Sequence, residues 1–314
     1  MGLTNFPNGV SSFGTPVPSG GRFSNPWATH WFVDGDEGSD GHTGKSPGRA
    51  VATIQKAVDL ATGGDIIYIR PKYYNMAQGF ARYTEDIDIA NTCTGSGVEE
   101  DNGNMSLIGV TPRGVATDFM GVRVKHATTH CFHTQAAATH LENIGFFCEG
   151  ATYGVQAESD GATYTKSGGQ GFSMYNCAIK GEGGFFANSS DSLQIINCQF
   201  QAKYDGNTSA IIMTLDGTNE FRRPVIRGCH FIGGNGTSMD SAPIIITGKV
   251  QDGLIADNYF HTGTTVQINI ATGSSSGLIV NNFFAEANLS TTFIVQNGMV
   301  CVANWDLTGI QETA

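Results

Sequence analysis

The sequence has little charge, and most of what it has is negative. Charged residues make up 14% of the 314 residues, and 28 acidic against 17 basic side chains give a formal net charge of −11. Binding to nucleic acid needs clustered Lys and Arg, and no such cluster is visible, so we predict no nucleic-acid partner. No apolar run approaches the roughly 18 residues of a membrane-spanning helix, which predicts no membrane partner either.

The sequence also lacks the short motifs of common enzymes and metal sites. It has no G-x-S-x-G, H-E-x-x-H, Walker or dinucleotide-binding fingerprint. Its seven cysteines are widely spaced and form no C-x-x-C pair, which argues against zinc knuckles and thioredoxin chemistry. We therefore predict no cofactor, and a reduced chain made in a cytosol.

What the chain does contain is a repeat in its C-terminal half. Each unit reads apolar, any, Asn/Gly/Asp, small or polar, any, apolar. The third positions are residues 143, 176, 197, 228, 257, 281 and 304, so consecutive units lie 21 to 33 residues apart. This spacing is too irregular for a helical solenoid. The units are LENIGF (141–146), MYNCAI (174–179), IINCQF (195–200), IRGCHF (226–231), IADNYF (255–260), IVNNFF (279–284) and VANWDL (302–307).

Each unit predicts two short strands joined by a sharp bend. In IINCQF, Ile195 points inward, Asn197 breaks the alternation, and Phe200 points inward again. Asn, Gly and Asp tolerate the left-handed backbone that such a bend needs. Stacked units place like residues above one another in a parallel ladder, with about 4.8 Å per coil. The predicted ladder residues are Asn143, Asn176, Asn197, Asn258, Asn282, Cys177, Cys198 and Cys229.

The predicted fold is therefore all-β, a single-stranded right-handed parallel β-helix over residues 31–307. The alternative is a β-sandwich in which the Asn turns are coincidental. The longer steps carry extra residues after Phe146, Phe200 and Phe231, and we expect these to protrude from one side.

An amphipathic helix is predicted before the coils, over about residues 47–62. Ser46 and Pro47 give a start signal, and Gly63 and Gly64 a stop. Such a helix would cover the open end of the β-helix, whose unpaired edges would otherwise recruit other chains. Its apolar face consists of Val51, Ile54, Val58 and Ala61.

Residues 31 to 71 carry a resemblance to a known family. The segments FVDGDEGSDGHTGKSP and ATIQKAVDLATGGDIIYI resemble the opening of the pectate-lyase-like β-helix superfamily, in which a strand, a Gly/Asp/Ser turn, an ATIQ-type helix and a further strand precede the coils. The resemblance implies the fold. It leaves function open, because the superfamily includes lyases, hydrolases, epimerases and non-catalytic virion proteins.

A polysaccharide lyase or hydrolase would need clustered carboxylates and a base facing one groove. The best catalytic candidates lie on the loop 204–223, although the sequence favours a solvated charged loop there. They are Asp205, Asp216, Glu220 and Arg222.

Two further segments could bind a metal. The run DGDEGSDG (34–41) offers alternating oxygen ligands for calcium but lacks the bidentate Glu of an EF-hand loop, so we predict an Asx-rich turn, with a calcium site as the alternative. The run KHATTHCFHTQAAATH places His126, His130 and His133 close together. On a strand, His130 would point away from His133, so a metal site requires a convergence that the sequence does not guarantee; histidines gathered about an oligomer axis are the alternative.

The N-terminal arm, residues 1–30, has no strand or helix period, yet it is studded with apolar residues. Residues 2–14 resemble the LTNFPNG-SSFG openings of phage proteins thought to belong to the virion. Anchors separated by turn formers suit an arm that lies across another protein and folds on binding. The predicted docking residues are Leu3, Phe6, Pro7, Val10, Phe13 and Val17.

These observations lead to one functional hypothesis and one alternative. We predict a non-enzymatic structural protein of a phage virion, assembled in the host cytoplasm, in which a β-helical capsid decoration or head spike docks to the major capsid protein or another virion protein. The alternative is a tailspike that binds or cleaves host polysaccharide. In either case we expect a homotrimer, because β-helices in virions commonly pack three abreast and the open C-terminal coil would gain from burial. Residues 308–314 are predicted to be a C-terminal tail.

Overall fold

The computed structural model of the chain is nearly all β. The residues it describes are 11–12, 15–16, 28–72, 81–90, 103–110, 121–126, 129–148, 150, 153–159, 168–181, 183–188, 190–202, 210–214, 220–233, 242–262, 266–271, 273–285, 293–295, 297–307 and 311–312. No helix within these residues is long and apolar enough to cross a membrane.

Three long sheets run side by side along the molecule, and the chain visits them in turn. Sheet A has ten strands, all parallel and in register, each pairing with the strand one coil away. In order these strands are His30–Val33, Ile66–Ile69, Ser106–Gly109, His140–Glu142, Ser173–Tyr175, Gln194–Ile196, Val225–Arg227, Gly253–Ala256, Gly277–Val280 and Val300–Val302.

Sheet B follows sheet A after a bend, and its last strand is the only antiparallel one within it. In order its strands are Tyr83–Thr84, Val122–His126, Ile144–Cys148, Ala178–Gly181, Gln199–Ala202, His230–Ile232, Tyr259–His261, Phe283–Phe284, Asn304–Asp306 and Gln311–Glu312. The predicted C-terminal tail thus contains a strand that covers the end of sheet B.

Sheet C completes each coil with eight parallel strands. They are Ile87–Ile89, His130–Thr134, Tyr153–Ala157, Phe185–Asn188, Ile211–Thr214, Ile244–Thr247, Ile268–Ile270 and Ile294–Val295. Two small pairs lie outside the three sheets. Ser11–Ser12 pairs antiparallel with Thr15–Pro16, and Phe221–Arg222 pairs parallel with Val250–Gln251.

This winding confirms the prediction of a parallel β-helix. Its core is a continuous stack of inward side chains, because register places like residues of successive coils above one another. The phenylalanines show this best, with ring centroids 4.6 to 5.1 Å apart from coil to coil, and with Phe293 stacked on Phe284 of its own coil at 4.9 Å. The stacked rings belong to Phe200, Phe231, Phe260, Phe284 and Phe293.

The bend between sheets A and B lies where the repeat predicts it, with one correction. Residues at the third position have positive φ, from 53° at Asn176 to 66° at Gly228. In the last unit the residue in this conformation is Ala303, with φ of 51°, and not Asn304. The last unit is therefore CVANWD (301–306), and Asn304 belongs to the following column.

That following column, one residue after the bend, is occupied by cysteine in three coils and by asparagine in the next three. The Cys229 thiol donates to Ile195 O at 3.6 Å, and the Asn258 side chain donates to Ile226 O at 3.1 Å. Each reaches the sheet A carbonyl of the preceding coil. Cysteine and asparagine can therefore both donate a hydrogen bond to this carbonyl. The column consists of Cys177, Cys198, Cys229, Asn258, Asn282 and Asn304.

The predicted Asn ladder is thus two ladders. In the buried one, Asn258 Nδ2 donates to Asn282 Oδ1 and Asn282 Nδ2 to Asn304 Oδ1, each at 2.9 Å. In the bend column, Asn176 Nδ2 donates to Asn143 Oδ1 at 2.8 Å, whereas Asn197 turns to the Tyr175 hydroxyl at 3.3 Å.

The N-terminal helix is shorter than predicted. A 3-10 turn spans Pro47–Arg49, and the α-helix, α1, is Ile54–Leu60. Val51 is extended and bridges to Val33, so the helix starts only after Thr53, whose side chain accepts the Lys56 amide. Ile54, Ala57 and Val58 are buried against the first coils, as expected of a helix that covers the end.

The extra residues of the longer repeats are not confined to one connection. After Phe200 they are divided between the connection from Ala202 to Ile211 and the connection from Thr214 to Phe221. The first joins sheet B to sheet C and the second leads from sheet C towards sheet A. The variable connections therefore flank sheet C on both of its sides. Because functional residues often lie on or beside such connections, a functional site is expected on the face of sheet C.

Candidate functional site

The densest group of ionisable side chains lies on the outer face of sheet C, near its N-terminal end. Register aligns Asp88 with His133 and His133 with Gln156 on three successive strands. Asp86 and Glu158 flank this row. We call Asp86, Asp88, His130, His133 and Glu158 the His–carboxylate cluster.

A backbone irregularity brings the two histidines of this cluster together. The amides of Gly154 and Val155 both donate to Gly184 O, at 2.8 and 3.3 Å, which is the hydrogen-bond pattern of a β-bulge. On the paired strand Cys131 and Phe132 are consecutive buried residues, so the alternation is interrupted, and His130 and His133 face the same side with ring centroids 4.8 Å apart. The sequence-based expectation that they point to opposite faces is wrong, because it assumed regular alternation.

His133 is clamped between two carboxylates. Nδ1 lies 2.9 Å from Asp88 Oδ1, and Nε2 lies 3.0 Å from Glu158 Oε2. Both acceptors need an N–H, so the imidazolium form satisfies both contacts. Burial by itself would lower the pKa of His133, but the hydrogen bonds and charges of Asp88 and Glu158 outweigh burial and raise that pKa above its ordinary value.

For His130, the effects that lower the pKa outweigh those that raise it. Its Nε2 lies 2.7 Å from Asp86 Oδ1, and Thr129 donates to the other oxygen of Asp86 at 2.9 Å. Burial lowers the pKa of His130, and the neighbouring His133 lowers it further, which together outweigh the attraction of Asp86. The cluster therefore moves the pKa values of its two histidines in opposite directions, so that His133 holds a proton more readily than His130.

The predicted metal triad does not form. Across the described residues, no three His, Cys, Asp or Glu side chains are placed to hold a metal ion. His126 ends a strand of sheet B, whereas His130 and His133 belong to sheet C and are engaged with carboxylates.

The acidic run at 34–41 has the hydrogen bonds of an Asx-rich turn. Asp34 Oδ1 accepts the amides of Asp36 and Glu37, at 3.0 and 3.1 Å. Asp40 Oδ1 accepts the amides of Ala52 and Thr53, each at 2.9 Å, which orders the approach to α1. These carboxylates therefore act on the backbone, as the turn interpretation predicts.

The proposed catalytic loop is described only in part. Asp205 and Asp216 lie outside the described residues. Glu220 pairs with Lys249 at 2.5 Å and lies 3.8 Å from Arg222. The hydrogen bond from Lys249 lowers the pKa of Glu220, so this carboxylate is ionised and is no proton donor at neutral pH.

Aromatic side chains continue the outer face of sheet C beyond the cluster. Tyr153, paired with His130, stacks on Phe186 of the next coil with ring centroids 4.5 Å apart and an interplanar angle of 26°. Both rings are partly exposed. A flat aromatic pair beside carboxylates and an amide offers stacking and hydrogen bonding together, the combination that binds sugar rings.

A second concave site lies at the N-terminal end of sheet A, with a volume of about 690 Å³. Phe32 and Tyr68 stack in it, 5.7 Å between centroids, and Arg70 pairs there with Asp34. In this pocket Asp34 is bound to Arg70, and His42 lies 3.0 Å from Ala50 O.

Sequence reasoning found the histidines but missed the carboxylates that bind them. The segment EDIDI (85–89) carries a usable signal, since Asp86 and Asp88 alternate with buried Ile87 and Ile89 and must face outward.

The predicted docking residues Leu3, Phe6, Pro7, Val10, Phe13 and Val17 lie outside the described residues. Comparison of the chain with protein-family models, with curated proteins and with solved structures finds no match.

Proposed function

We propose that the protein is a non-enzymatic structural component of a phage virion, a β-helical decoration or head spike that docks through its N-terminal arm. The major capsid protein or another virion protein is the proposed partner, and the virion is its proposed location. The observation that carries this proposal is the closure of the β-helix by α1, which covers its N-terminal end.

The closure matters because α1 already covers the first coils of the core. Ile54, Ala57 and Val58 of α1 are buried over the first coils, and the described core begins at Trp31. The arm precedes this point and carries Phe6, Phe13 and further apolar residues. Apolar side chains that do not enter their own core gain most by binding another protein, and many identical sites on a shell provide that protein.

The body of the molecule suits the projecting part of such a particle. Sheet A stacks ten strands, which at about 4.8 Å each span about 43 Å along the axis. Buried side-chain ladders and stacked rings connect successive coils, so the coils support each other as one rigid rod. A rigid rod with an anchoring arm at one end is a plausible form for a surface decoration.

The test uses the full chain and particles that lack it. Phe6→Asp together with Phe13→Asp should abolish co-sedimentation with the particles, because charged residues cannot replace the apolar anchors. Thr4→Asp with Ser19→Asp adds the same charge to the same arm without removing an aromatic ring, and should bind. Deletion of residues 1–28 should leave a folded but non-binding protein. Normal decoration by the double Phe variant or by the truncated protein would refute the docking proposal.

A second candidate function is binding of a host glycan on sheet C, and the stack of Tyr153 on Phe186 beside the His–carboxylate cluster favours it. Tyr153→Ala should weaken binding to capsular or lipopolysaccharide glycans about 2- to 13-fold, since one ring contact supplies roughly 0.5–1.5 kcal/mol. Tyr175→Ala, on the outer face of sheet A, is the control. Release of glycan fragments by the wild-type protein would instead favour the enzymatic alternative.

A further inference from the structure

The outer faces of sheets A and B are unusually apolar in the last coils. On sheet A, Leu278, Val300 and Val302 are 46, 55 and 44% exposed. On sheet B, Tyr259 and Trp305 are 37 and 40% exposed. Both faces of a parallel sheet are ordinarily covered, so such an exposed face indicates a missing neighbour.

The exposed side chains form straight rows because the strands are in register. One row on sheet A runs Leu254, Leu278, Val300, and a second runs Val280, Val302. On sheet B, Tyr259, Phe283 and Trp305 are successive partners, and the first two rings stack 5.5 Å apart. We call these eight residues the apolar wedge, because sheets A and B meet at a one-residue bend.

The charge of the surface points to the identity of the neighbour. No residue of the wedge is charged, and at its border Arg227 is paired with Asp257 at 2.7 Å. The whole chain carries a net charge of −11, so two copies repel each other over most of their surfaces. They can approach closely only through a neutral, apolar surface such as the wedge. A basic partner would be attracted to the acidic surfaces instead.

The spacing of the rows also fits a second copy of the chain. Ridges that repeat at about 4.8 Å along the axis interdigitate best with ridges of the same repeat, and another coil of this β-helix has that repeat by construction.

The two faces of the wedge favour head-to-tail contacts, and three is the number of copies expected from the sequence. A face on each side of a sharp corner contacts two different neighbours, the sheet A face of one copy meeting the sheet B face of the next. Such head-to-tail contacts close into a ring when the rotation allows it. We propose that the apolar wedge is the contact surface of a homotrimer whose axis runs parallel to the β-helix. This inference does not depend on docking to a virion.

The experiment measures the mass of the full-length protein by light scattering at micromolar concentration. Wild type should have three times the 33.2 kDa mass of one chain. Val300→Glu on the sheet A face and Trp305→Asp on the sheet B face should each reduce the mass to that of one chain, because each buries a charge in an apolar contact. Leu278→Gln, a neutral and milder change, should lower the trimer's association constant by at least tenfold.

The control is Val110→Glu, which adds the same charge at a valine that is 48% exposed at the other end of the molecule. It should remain trimeric, and circular dichroism should show that every variant keeps the wild-type fold. A monomeric wild type, a trimeric Val300→Glu or Trp305→Asp variant, or dissociation of the Val110→Glu control would each overturn the proposal. A two-chain mass for either wedge variant would also overturn it, since like faces would then pair. None of these results bears on whether the arm docks.

Discussion

Substitution of Asn282 by leucine should destabilise the β-helix strongly. The side chain of Asn282 is fully buried and takes part in four hydrogen bonds. Its Nδ2 donates to Ile255 O at 3.1 Å and to Asn304 Oδ1 at 2.9 Å. Its Oδ1 accepts from the Asn258 amide at 3.1 Å and from Asn258 Nδ2 at 2.9 Å.

The magnitude follows from which of these groups are left without a partner. Asn258 Nδ2 keeps its bond to Ile226 O, and Asn304 Oδ1 keeps its bond from the Asn282 amide at 3.0 Å. The Asn258 backbone N–H, however, loses its acceptor inside the core. An orphaned buried donor costs about 1–3 kcal/mol and each of the three other lost bonds about 0.5–1.5 kcal/mol, so the expected loss is about 3–7 kcal/mol.

The assay is urea unfolding followed by circular dichroism. The neighbouring residue provides the control, because Asn281 lies in the exposed bend with φ of 55° and its side chain donates to Asp257 Oδ1 on the surface at 2.7 Å. Asn281→Gly keeps the left-handed backbone and should cost less than about 1 kcal/mol. A change below about 1 kcal/mol for Asn282→Leu, or equal changes for the two variants, would refute the reasoning.

Two further predictions concern the same column and the His–carboxylate cluster. Cys229→Asn should keep the free energy of unfolding within about 1 kcal/mol of wild type, because an amide can also donate to Ile195 O. Cys229→Asp has no donor at neutral pH and should lower the free energy of unfolding, measured in urea, by about 3 kcal/mol or more. Equal effects of the two substitutions would contradict the equivalence of thiol and amide. The raised pKa of His133 stabilises the fold fully below its unfolded pKa of about 6.5, and this stabilisation is lost as pH rises through the folded pKa. His130, whose pKa is lowered, changes stability only below that window. His133→Gln should therefore flatten the fall in stability from pH 6.5 to 8, and an unchanged slope would argue against the clamp.

The coil geometry could be predicted because it depends on local chemistry. Each bend needs a left-handed residue, and Asn, Asp or Gly marks it in the sequence. The failure in the last unit is instructive, since Ala303 adopts φ of 51° without being such a residue. The register of sheets A and B on either side of the bend determines the conformation of Ala303. Residue propensity alone predicts the bend at the neighbouring Asn304.

The candidate site was less predictable because its contacts are remote in sequence. Asp88 and His133 are 45 residues apart, and Glu158 follows 25 residues later. Only the register of sheet C brings them together, and only the bulge at Gly154 and Val155 shows that alternation fails there. The start of α1 was misplaced for a similar reason, since pairing of Val51 with Val33 overrides its helical spacing.

We propose that this chain is a built-in part of a virion. Mass spectrometry of purified particles of a phage whose genome carries this sequence tests the proposal most directly, with peptides of the major capsid protein as the internal standard. We expect peptides of this chain at a fixed ratio to those of the capsid protein. The chain should stay on the particles after washing in high salt, because the proposed docking is apolar. Particles that are infectious, complete and free of the chain would contradict it.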